Sequence, residues 1–258
     1  MVVVETVRAA VHEIFSGIQG EGVLVGVRQI FTRFHGCTLR CRYCDTRASF
    51  GTPPLACAVE QTAGNHDAVP FPNPLSAADI LAAALRLQEG YPHHSVSLTG
   101  GEPLQQRPLL DELLPLLHAA GLPTYLETNG QLPEEFAALR EIPRYLAMDF
   151  KLPSLVEGGL AWEPQAAFLE TALARLPLEV IQVKIVFGAG CGEEIEEAAR
   201  RIAILHRDVT CVLQPLTRRP NGPAPPSPRA VLEAQRLAAA RLDHVRVIPQ
   251  THVILGQR

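Results

Sequence analysis

The chain has 258 residues, 47% of them hydrophobic and 19% charged, with a formal net charge of −4 at pH 7. One domain of this length can bury a substantial core, while the acidic balance argues against tight binding to nucleic acid, which needs a basic face. No run approaches the roughly 20 apolar residues of a membrane span, and residues 1–12 lack the apolar core of a signal peptide. Six cysteines without a secretory signal indicate the reducing cytoplasm, where thiols are available to metals.

The first predicted element is an edge strand over residues 7–15, where apolar and polar residues alternate loosely. A turn follows at Gln19-Gly20-Glu21-Gly22, whose glycines would let the backbone approach a ligand closely; a plain surface turn is the alternative. A second strand over residues 28–34 alternates more clearly and leads into a cluster of cysteines. Arg33, near its end, is a candidate for binding a carboxylate through two parallel hydrogen bonds, although an ion-paired or solvated arginine fits the sequence equally well.

Three cysteines, Cys37, Cys41 and Cys44, lie within eight residues, so one short loop can direct three thiolates at a single inorganic centre. An electron-transfer [4Fe–4S] cluster normally takes four protein ligands, and three would leave one iron open. A structural zinc site also needs four ligands, usually in two pairs, whereas Cys57 stands alone and His35 precedes a glycine that suggests a turn. A disulfide would leave one of the clustered cysteines over. An iron–sulfur cluster is therefore the favoured interpretation.

Residues 51–75 are rich in Pro, Gly and Ala and show no periodicity, which predicts a loop or lid. Cys57 within this segment is interpreted as a bystander. A helix is predicted over residues 76–88, with Ser76 as its N-cap and Asp79 placed to complete a capping box.

A short strand at residues 95–98 enters Thr99-Gly100-Gly101-Glu102-Pro103. The glycines free backbone groups to bind a small polar ligand at the carboxyl end of a strand, although a tight strand–helix turn is the alternative. After a helix over residues 109–120, the next strand, residues 123–127, leads into Thr128-Asn129-Gly130, which favours a turn.

The remaining strands also carry polar residues at or near their ends. The strand at residues 145–150 is followed by Lys151, and the pair Asp149 and Lys151 could contact a ribose or carboxylate or form an ion pair. Lys184, inside the strand at residues 180–187, fits a ligand contact or an edge position. The last core strand covers residues 209–213 and ends at Gln214-Pro215, and further helices are predicted over residues 133–140, 164–174, 193–206 and 229–241.

Strands that alternate with helices predict parallel βα units. Six such strands predict an α/β fold of the incomplete (β/α)6 barrel type with short or irregular helices, and the polar motifs follow strand carboxyl ends as in barrel enzymes. The sequence shows no internal repeat and no linker, so we expect one domain over residues 1–258, with residues 51–75 as a lid or insertion and residues 242–258 as a closing segment.

The Cys-x3-Cys-x2-Cys loop, with Tyr43 before its last cysteine, resembles the signature of the radical S-adenosylmethionine (SAM) superfamily. Its flanks narrow the match, because Glu13-Ile14-Phe15-Ser16-Gly17-Ile18-Gln19-Gly20-Glu21-Gly22, Arg33-Phe34-His35-Gly36-Cys37 and Cys44-Asp45-Thr46 resemble the 7-carboxy-7-deazaguanine synthase family over about residues 11–252. One departure is Cys37-Thr38-Leu39, where that family usually has Cys-Asn-Leu, and it hardly affects the cluster.

The resemblance implies a [4Fe–4S] cluster on Cys37, Cys41 and Cys44, whose open iron chelates SAM, and Mg2+ bound by Thr46. It further implies contacts to SAM and to substrate, with Arg33 on the substrate carboxylate. The implied SAM contacts are Tyr43, Gly101, Glu102, Glu127, Thr128, Asn129, Asp149, Lys151 and Gln214, and the implied substrate contacts are Ile18, Gln19, Gly20, Arg33 and Thr99.

The implied reaction converts 6-carboxy-5,6,7,8-tetrahydropterin to 7-carboxy-7-deazaguanine with loss of ammonia, in 7-deazapurine and queuosine biosynthesis. The SAM-derived radical carries out the chemistry, so no side chain is expected to be catalytic itself. The resemblance also implies an external flavodoxin- or ferredoxin-like electron donor and a homodimer. Two alternatives stay open. One is another radical SAM enzyme, such as a glycyl-radical activase with a groove for a protein partner. The other is a non-enzymatic metal-binding or regulatory protein that uses the cysteines structurally and would contain zinc, and the Gly-Gly-Glu-Pro segment weighs against it.

Overall fold

A computed structural model describes residues 6–257. Of the predictions above, the absence of a signal peptide falls outside the described residues over positions 1–5, as does residue 258 of the predicted closing segment. The strands in the described range are β1 Arg8–Ala9, β2 Val11–Ile18, β3 Arg28–Phe34, β4 Ala56–Val59, β5 Val69–Pro72, β6 Leu75–Ser76, β7 Ser95–Gly100, β8 Thr124–Thr128, β9 Tyr145–Asp149, β10 Ile181–Phe187, β11 Thr210–Pro215 and β12 Val245–Val247. The helices are α1 Ala77–Gly90, α2 Arg107–Ala119, α3 Pro133–Ala137, α4 Glu163–Arg175, α5 Gly192–Leu205, α6 Pro228–Ala239 and α7 Thr251–Ile254.

Over residues 6–257 the main sheet has ten strands, in the order β12-β11-β10-β9-β8-β7-β3-β2-β4-β5. β3 and β7 to β12 run parallel, each beside the next in this order, with a helix or loop between successive strands. This arrangement confirms the predicted βα units, and β12 adds a short parallel strand to the six expected. The order is linear over the described part of the chain, as expected of an incomplete barrel.

The helices between the strands pack in two groups, because α1 contacts α2 and, separately, α3, α4, α5 and α6 contact in turn. In α1 the buried residues Ile80, Ala83, Ala84 and Leu87 follow helical spacing, and each buried Ile or Leu contributes about 1.5–3 kcal/mol. The predicted capping box is confirmed at Ser76, whose Oγ accepts from the N–H of Asp79 while the Asp79 carboxylate accepts from Ser76 N. No helix among residues 6–257 has the length and apolar character needed to cross a bilayer.

The prediction of an edge strand at residues 7–15 is wrong in two respects. The segment divides into β1, which pairs with β6, and β2, which extends to Ile18. β2 is an interior strand, antiparallel to β3 on one side and parallel to β4 on the other. Its position therefore depends on a partner that lies some forty residues later in the chain, which local alternation cannot show.

The prediction of a structureless loop over residues 51–75 is also wrong, because β4 and β5 form a hairpin that extends the sheet. β4 is only four residues long, and its two buried side chains are Cys57 and Val59, so its alternation is too short to recognise. β5 carries Pro70 and Pro72 at the described edge of the sheet. Proline lacks a backbone N–H, and an edge strand tolerates this because no further strand needs that donor.

Candidate active site

The carboxyl ends of the parallel strands border a cavity of about 820 Å3, within the range of roughly 300–1,000 Å3 typical of small-molecule sites. Parallel strands end at the same edge of the sheet, so loops that are distant in sequence meet there. The cavity is lined by every predicted site residue except Glu102, namely Ile18, Gln19, Gly20, Arg33, Cys37, Cys41, Tyr43, Cys44, Thr46, Thr99, Gly101, Glu127, Thr128, Asn129, Asp149, Lys151 and Gln214.

The cysteine loop is fixed from behind by the segment that follows β9. Arg42 N donates to Leu155 O at 2.9 Å, Glu157 N donates to Arg40 O at 3.0 Å, and Cys41 forms an antiparallel bridge with Val156. The loop therefore presents its three thiols toward the cavity from a backbone that is held on its other side.

The donor set fits an iron–sulfur cluster better than a mononuclear zinc ion. Cys37, Cys41 and Cys44 are all unpaired and partly buried. Among residues 6–257 the group of three ligand atoms that converge within 4.8 Å does not include these sulfurs, whereas zinc–sulfur bonds of 2.3 Å would place tetrahedral thiolates about 3.8 Å apart. Burial raises the pKa of Cys37, and it raises that of Cys44 to about 11, so the thiols release protons when a metal binds.

Thr38, the departure from the family pattern, has a clear contact. Its Oγ1 accepts a hydrogen bond from Asn129 Nδ2 at 3.0 Å, and the same amide nitrogen lies 3.7 Å from Cys37 Sγ. The hydroxyl thereby joins the cysteine loop to the turn after β8, which supports the expectation that the substitution leaves the cluster intact.

The Gly-Gly-Glu-Pro segment approaches the cysteine loop too closely for a side chain at Gly101. A Cβ there would lie 1.8 Å from Gly36 O, and the adjacent Glu102 N donates to the same carbonyl at 2.7 Å. Glycine is therefore required sterically at this position, and the two loops that were predicted to meet form one wall.

The prediction that Glu102 faces SAM is not supported by the direction of its side chain, which is fully buried behind the wall. Its carboxylate accepts from Leu104 N at 3.1 Å, Thr128 Oγ1 at 2.8 Å and Asn129 N at 2.8 Å. These donors turn the side chain away from the cavity, so Glu102 positions the turn after β8. Burial raises the pKa of Glu102 to about 7, against the opposing effect of the three hydrogen bonds.

The cavity floor contains a chain of charges. Lys151 Nζ lies 2.7 Å from Asp149 Oδ2, and Lys184 Nζ lies 3.2 Å from Asp149 Oδ1 and also binds the carboxylate of Glu21. Burial alone would lower the pKa of Lys184, but Asp149 and Glu21 raise it well above its usual value. Burial would likewise raise the pKa of Glu21, yet Lys184 lowers it to about 2. Lys184 and Glu21 are therefore charged at neutral pH.

Glu21 was not predicted as a site residue, and for Lys184 a ligand contact and an edge position were both left open. Lys184 is interior because β10 lies between β9 and β11 and is buried along its whole length. One signal was available, since Lys151 and Lys184 are the only lysines in a sequence otherwise rich in arginine. A lysine inside an apolar strand needs buried carboxylate partners.

The residues implied to contact substrate lie around Arg33 and Glu127. Arg33 Nε is 2.8 Å from Glu13 Oε1 and its Nη1 is 3.4 Å from Thr46 Oγ1. Glu127 was expected near SAM, but its carboxylate accepts from Gln19 Nε2 and from Thr99 Oγ1, both at 2.9 Å. Burial raises its pKa. Together, the side chains of Gln19, Thr99 and Glu127 offer hydrogen-bond donors and acceptors to a flat heterocycle.

The C-terminal segment lies at the mouth of the cavity. Thr251 N donates to Gly20 O at 2.9 Å, and Gln250 Nε2 donates to Glu21 Oε1 at 2.7 Å. His252 packs so closely on Gly20 that a Cβ there would lie 2.3 Å from His252 Nδ1. From residues 51–75, by contrast, Ala58 lines the cavity.

One further group of potential metal ligands lies at this mouth. Ligand atoms of Glu21, Asp45 and His252 come within 4.8 Å of one another. Glu21 already binds Lys184 and Gln250, and Asp45 Oδ2 lies 3.4 Å from Arg219 Nη2. The group therefore belongs to a network of ion pairs and hydrogen bonds around the opening.

Comparison with known proteins agrees with this site. The chain matches the radical SAM superfamily over residues 31–154. It is 42% identical over 252 residues to the 7-carboxy-7-deazaguanine synthase of Geobacter sulfurreducens, covering 96% of this chain and 98% of that one. It is 32% identical over 247 residues to that of Methanopyrus kandleri, covering 95% and 92%. The crystal structure of QueE from Escherichia coli has the same fold, with a TM-score of 0.59 at 24% identity over 95% of each chain.

One cavity thus combines the cysteine loop, the wall that requires glycine beside it and the polar floor. The chain that forms this cavity matches named synthases along nearly its whole length. The radical SAM superfamily implies a [4Fe–4S] cluster and SAM as cofactors, which the three-cysteine donor set fits. At this identity and coverage, the protein belongs to the 7-carboxy-7-deazaguanine synthase family of radical SAM enzymes, a family of lyases.

Proposed function

We propose that this chain converts 6-carboxy-5,6,7,8-tetrahydropterin to 7-carboxy-7-deazaguanine with release of ammonia. The observation that carries the proposal is the position of Arg33 and Glu127 in the same cavity as the three cysteine thiols. This arrangement supports the proposal, because a cation that can bind a carboxylate and polar groups that can bind a ring would then lie beside the radical source.

Cys37, Cys41 and Cys44 would hold the cluster, and Gly101 with the turn after β8 would border SAM. When bound, cluster and SAM together supply a 5′-deoxyadenosyl radical by reductive cleavage. The protein must then keep the reacting C–H bond within about 3–3.5 Å of that radical and keep other bonds away. The charge chain of Asp149 and Lys151 in the floor supports a role in holding the polar parts of SAM.

Arg33 would bind the substrate carboxylate while Glu13 holds its Nε, and Gln19, Thr99 and Glu127 would bind the ring. Gln19 and Thr99 donate to Glu127, so a ligand amide or amine can exchange with these contacts. The carboxylate of Glu127 is buried and acceptor-rich, which favours a ring edge that carries N–H donors.

Thr46 is the proposed Mg2+ ligand. Its hydroxyl offers an oxygen, which Mg2+ prefers, and the ion commonly keeps several waters. Arg33 Nη1 lies 3.4 Å from this hydroxyl, so a cation becomes favourable here only when an anionic substrate group lies between the two positive charges.

The finer assignments follow from the same proposal. We infer a cytoplasmic enzyme that works as a homodimer and receives electrons from a flavodoxin- or ferredoxin-like protein. The six cysteines, all free in the described structure, support a reducing compartment. We also propose that residues 242–258 close the cavity over substrate, supported by the contacts of Gln250 and Thr251 with the turn at Gly20 and Glu21, and that residues 51–75 act as an outer lid.

The test is anaerobic. The chain is reconstituted with iron and sulfide, reduced, and its EPR spectrum is recorded before and after SAM is added. The pterin is then supplied, and 5′-deoxyadenosine and deazaguanine are followed by mass spectrometry. We expect a SAM-perturbed cluster signal and substrate-dependent product, both lost in Cys44→Ala. SAM cleavage without deazaguanine would reject the substrate, and bound zinc with no SAM effect would reject the enzyme.

A further inference from the structure

The outer face of the cysteine loop carries three exposed arginines, Arg40, Arg42 and Arg47. Arg47 Nη2 donates to Arg42 O at 3.1 Å, and the guanidinium of Arg40 lies 5.2 Å from the ring centroid of Phe50. The three exposed side chains lie within eight residues of one loop, and we call Arg40, Arg42 and Arg47 together the arginine face.

None of these arginines forms an ion pair within 4 Å in the range that the structure describes, although such pairs are common elsewhere on the surface. Exposed Arg200 and Arg207, for example, each face a carboxylate. Three unpaired cations thus lie within eight residues of a chain whose net charge is −4, and together they produce a local positive potential.

Acidic neighbours do not cancel this charge. Asp45 lies 3.4 Å from Arg219, which neutralises it. Glu157 is exposed and its backbone N–H binds Arg40 O, so one carboxylate lies beside three guanidinium groups. The arginine face therefore keeps an excess of positive charge.

The three arginines are not among the residues that line the cavity with the thiols. Arg40 and Arg42 flank Cys41 in sequence, and while the cysteines line the cavity the two arginines are exposed. The backbone between them is held by Leu155 and Glu157, so this relation is rigid. Electron transfer weakens steeply with distance, and an electron that enters from outside has a short path through this loop.

We propose that the arginine face is the docking surface for an acidic protein that donates single electrons to the cluster. This inference rests on the proposed function, because only a redox-active cluster requires such a donor. In the step, one electron leaves the reduced donor, which is oxidised, and the cluster is reduced by one electron; no covalent bond in either protein changes. Complementary charge would accelerate the encounter and set its orientation.

The test compares Arg42→Glu/Arg47→Glu with a matched control, Arg140→Glu/Arg144→Glu. Arg140 and Arg144 are also exposed and lie before β9, at the opposite end of the parallel strands from the cysteine loop. Both double variants therefore change the net charge equally, at different ends of the sheet. Reconstituted proteins are checked for iron content and thermal unfolding, and the neutral variant Arg42→Gln/Arg47→Gln is added in case charge reversal disturbs folding.

Two measurements follow. The Kd for oxidised flavodoxin and for a [2Fe–2S] ferredoxin, both acidic, is measured at low and high salt, and product formation is driven either by the reduced donor or by dithionite. For the Glu variant we expect about a tenfold or greater rise in Kd and a similar fall in the donor-driven rate. The Gln variant should change less, and the control should not change. The dithionite-driven rate should be the same in all of these proteins.

The two proposals fail differently. Three outcomes would overturn the docking surface even if dithionite-driven product forms. They are a wild-type protein that binds neither donor, binding that is insensitive to salt, and a control variant that loses as much affinity as the Glu variant. Tighter binding of a short RNA than of either donor would also overturn it. Donor binding that depends on Arg42 and Arg47 without any deazaguanine would retain the docking surface and reject the substrate.

Discussion

Arg33 and Glu13 are directly opposite each other on antiparallel strands β3 and β2, with Arg33 Nε 2.8 Å from Glu13 Oε1. Each side chain is only about one-fifth exposed, at 20% and 23%, so the pair is stronger than a fully solvated one. Glu13 thereby orients the guanidinium, and Nη1 extends toward Thr46. In the sequence, an ion pair and a carboxylate-binding role were alternatives for Arg33. In the structure Arg33 can do both, because Nε binds Glu13 and the remaining nitrogens stay available to a carboxylate.

Replacing Arg33 with alanine should weaken substrate binding selectively. Charge-assisted hydrogen bonds contribute about 1.5–3 kcal/mol each, so we expect KM for the pterin to rise by about 10–150-fold. Arg33→Lys should be nearly as impaired, because an ammonium cannot bind Glu13 and a second carboxylate in the same planar fashion. Steady-state kinetics together with iron content and SAM cleavage check this. Loss of the cluster in Arg33→Ala would show that the residue is structural instead.

Much of the architecture was predictable because its signals are local. The strands β7, β8, β9, β10 and β11 are short apolar runs bounded by turn residues. A proline in the first turn marks the beginning of α2, α3, α4 and α6. Since parallel strands end at one edge, the polar residues that follow them had to meet. All the site residues implied by the family resemblance except Glu102 line the cavity, together with residues outside that set, such as Glu21 and Lys184.

The features that were not predicted depend on long-range contacts. β2 is interior only because β4 pairs with it. Glu102 turns from the cavity because Thr128 and Asn129, on another strand and turn, donate to it. The pairing of Lys184 with Glu21 links positions that are 163 residues apart. Sequence periodicity describes a residue's own element and cannot report such partners.

Lys184 should be important for stability as well as for the site. Lys184→Met leaves Glu21 and one oxygen of Asp149 without their cation in a buried region, which typically costs about 3–5 kcal/mol. Urea unfolding of the apoprotein measures this change. The double variant Glu21→Gln/Lys184→Met should recover part of the loss, since it removes one of the stranded charges. Equal stability of Lys184→Met and wild type would contradict the assigned ion pair.

The same pair predicts a specific sensitivity to acid. The pKa of Glu21 is lowered to about 2 in the fold from an ordinary value near 4.5, so its contribution is fully present above about pH 4.5 and is lost as the pH falls toward 2. Glu21→Gln should flatten the dependence of the unfolding free energy on pH in this window. Identical slopes for wild type and Glu21→Gln between pH 5 and pH 3 would argue against the shift.

Glu102 predicts the opposite trend at higher pH. Its pKa is raised to about 7 by burial, so the folded chain retains a proton that the unfolded chain has lost between about pH 4.5 and 7. The contribution of Glu102 to stability therefore decreases as the pH rises through this window, by about 3 kcal/mol in all. Glu102→Gln should be less stable, because its amide N–H groups face backbone donors, yet less dependent on pH. Unfolding at pH 5, 6, 7 and 8 compares the slopes, and parallel curves would contradict the shift.

Gly20→Ala should detach the C-terminal segment from the cavity mouth. The added Cβ would lie 2.3 Å from His252 Nδ1 and 2.6 Å from His252 N, which is too close for either atom, so the bond between Thr251 N and Gly20 O should break. Gly51→Ala is the control, because a Cβ there meets its nearest atom at 3.7 Å and no strain arises from a positive φ.

Hydrogen exchange over residues 250–257 measures the release, and KM for the pterin measures its consequence. We expect faster exchange and a higher KM in Gly20→Ala, with the control unchanged. Gly20→Ala/His252→Ala should recover only part of the protection, because it removes the clash with the imidazole but leaves the clashes with the Cβ and the backbone nitrogen of residue 252. Faster exchange with an unchanged KM would show that the segment covers the cavity without restraining the substrate, and the proposed closing role would then be wrong.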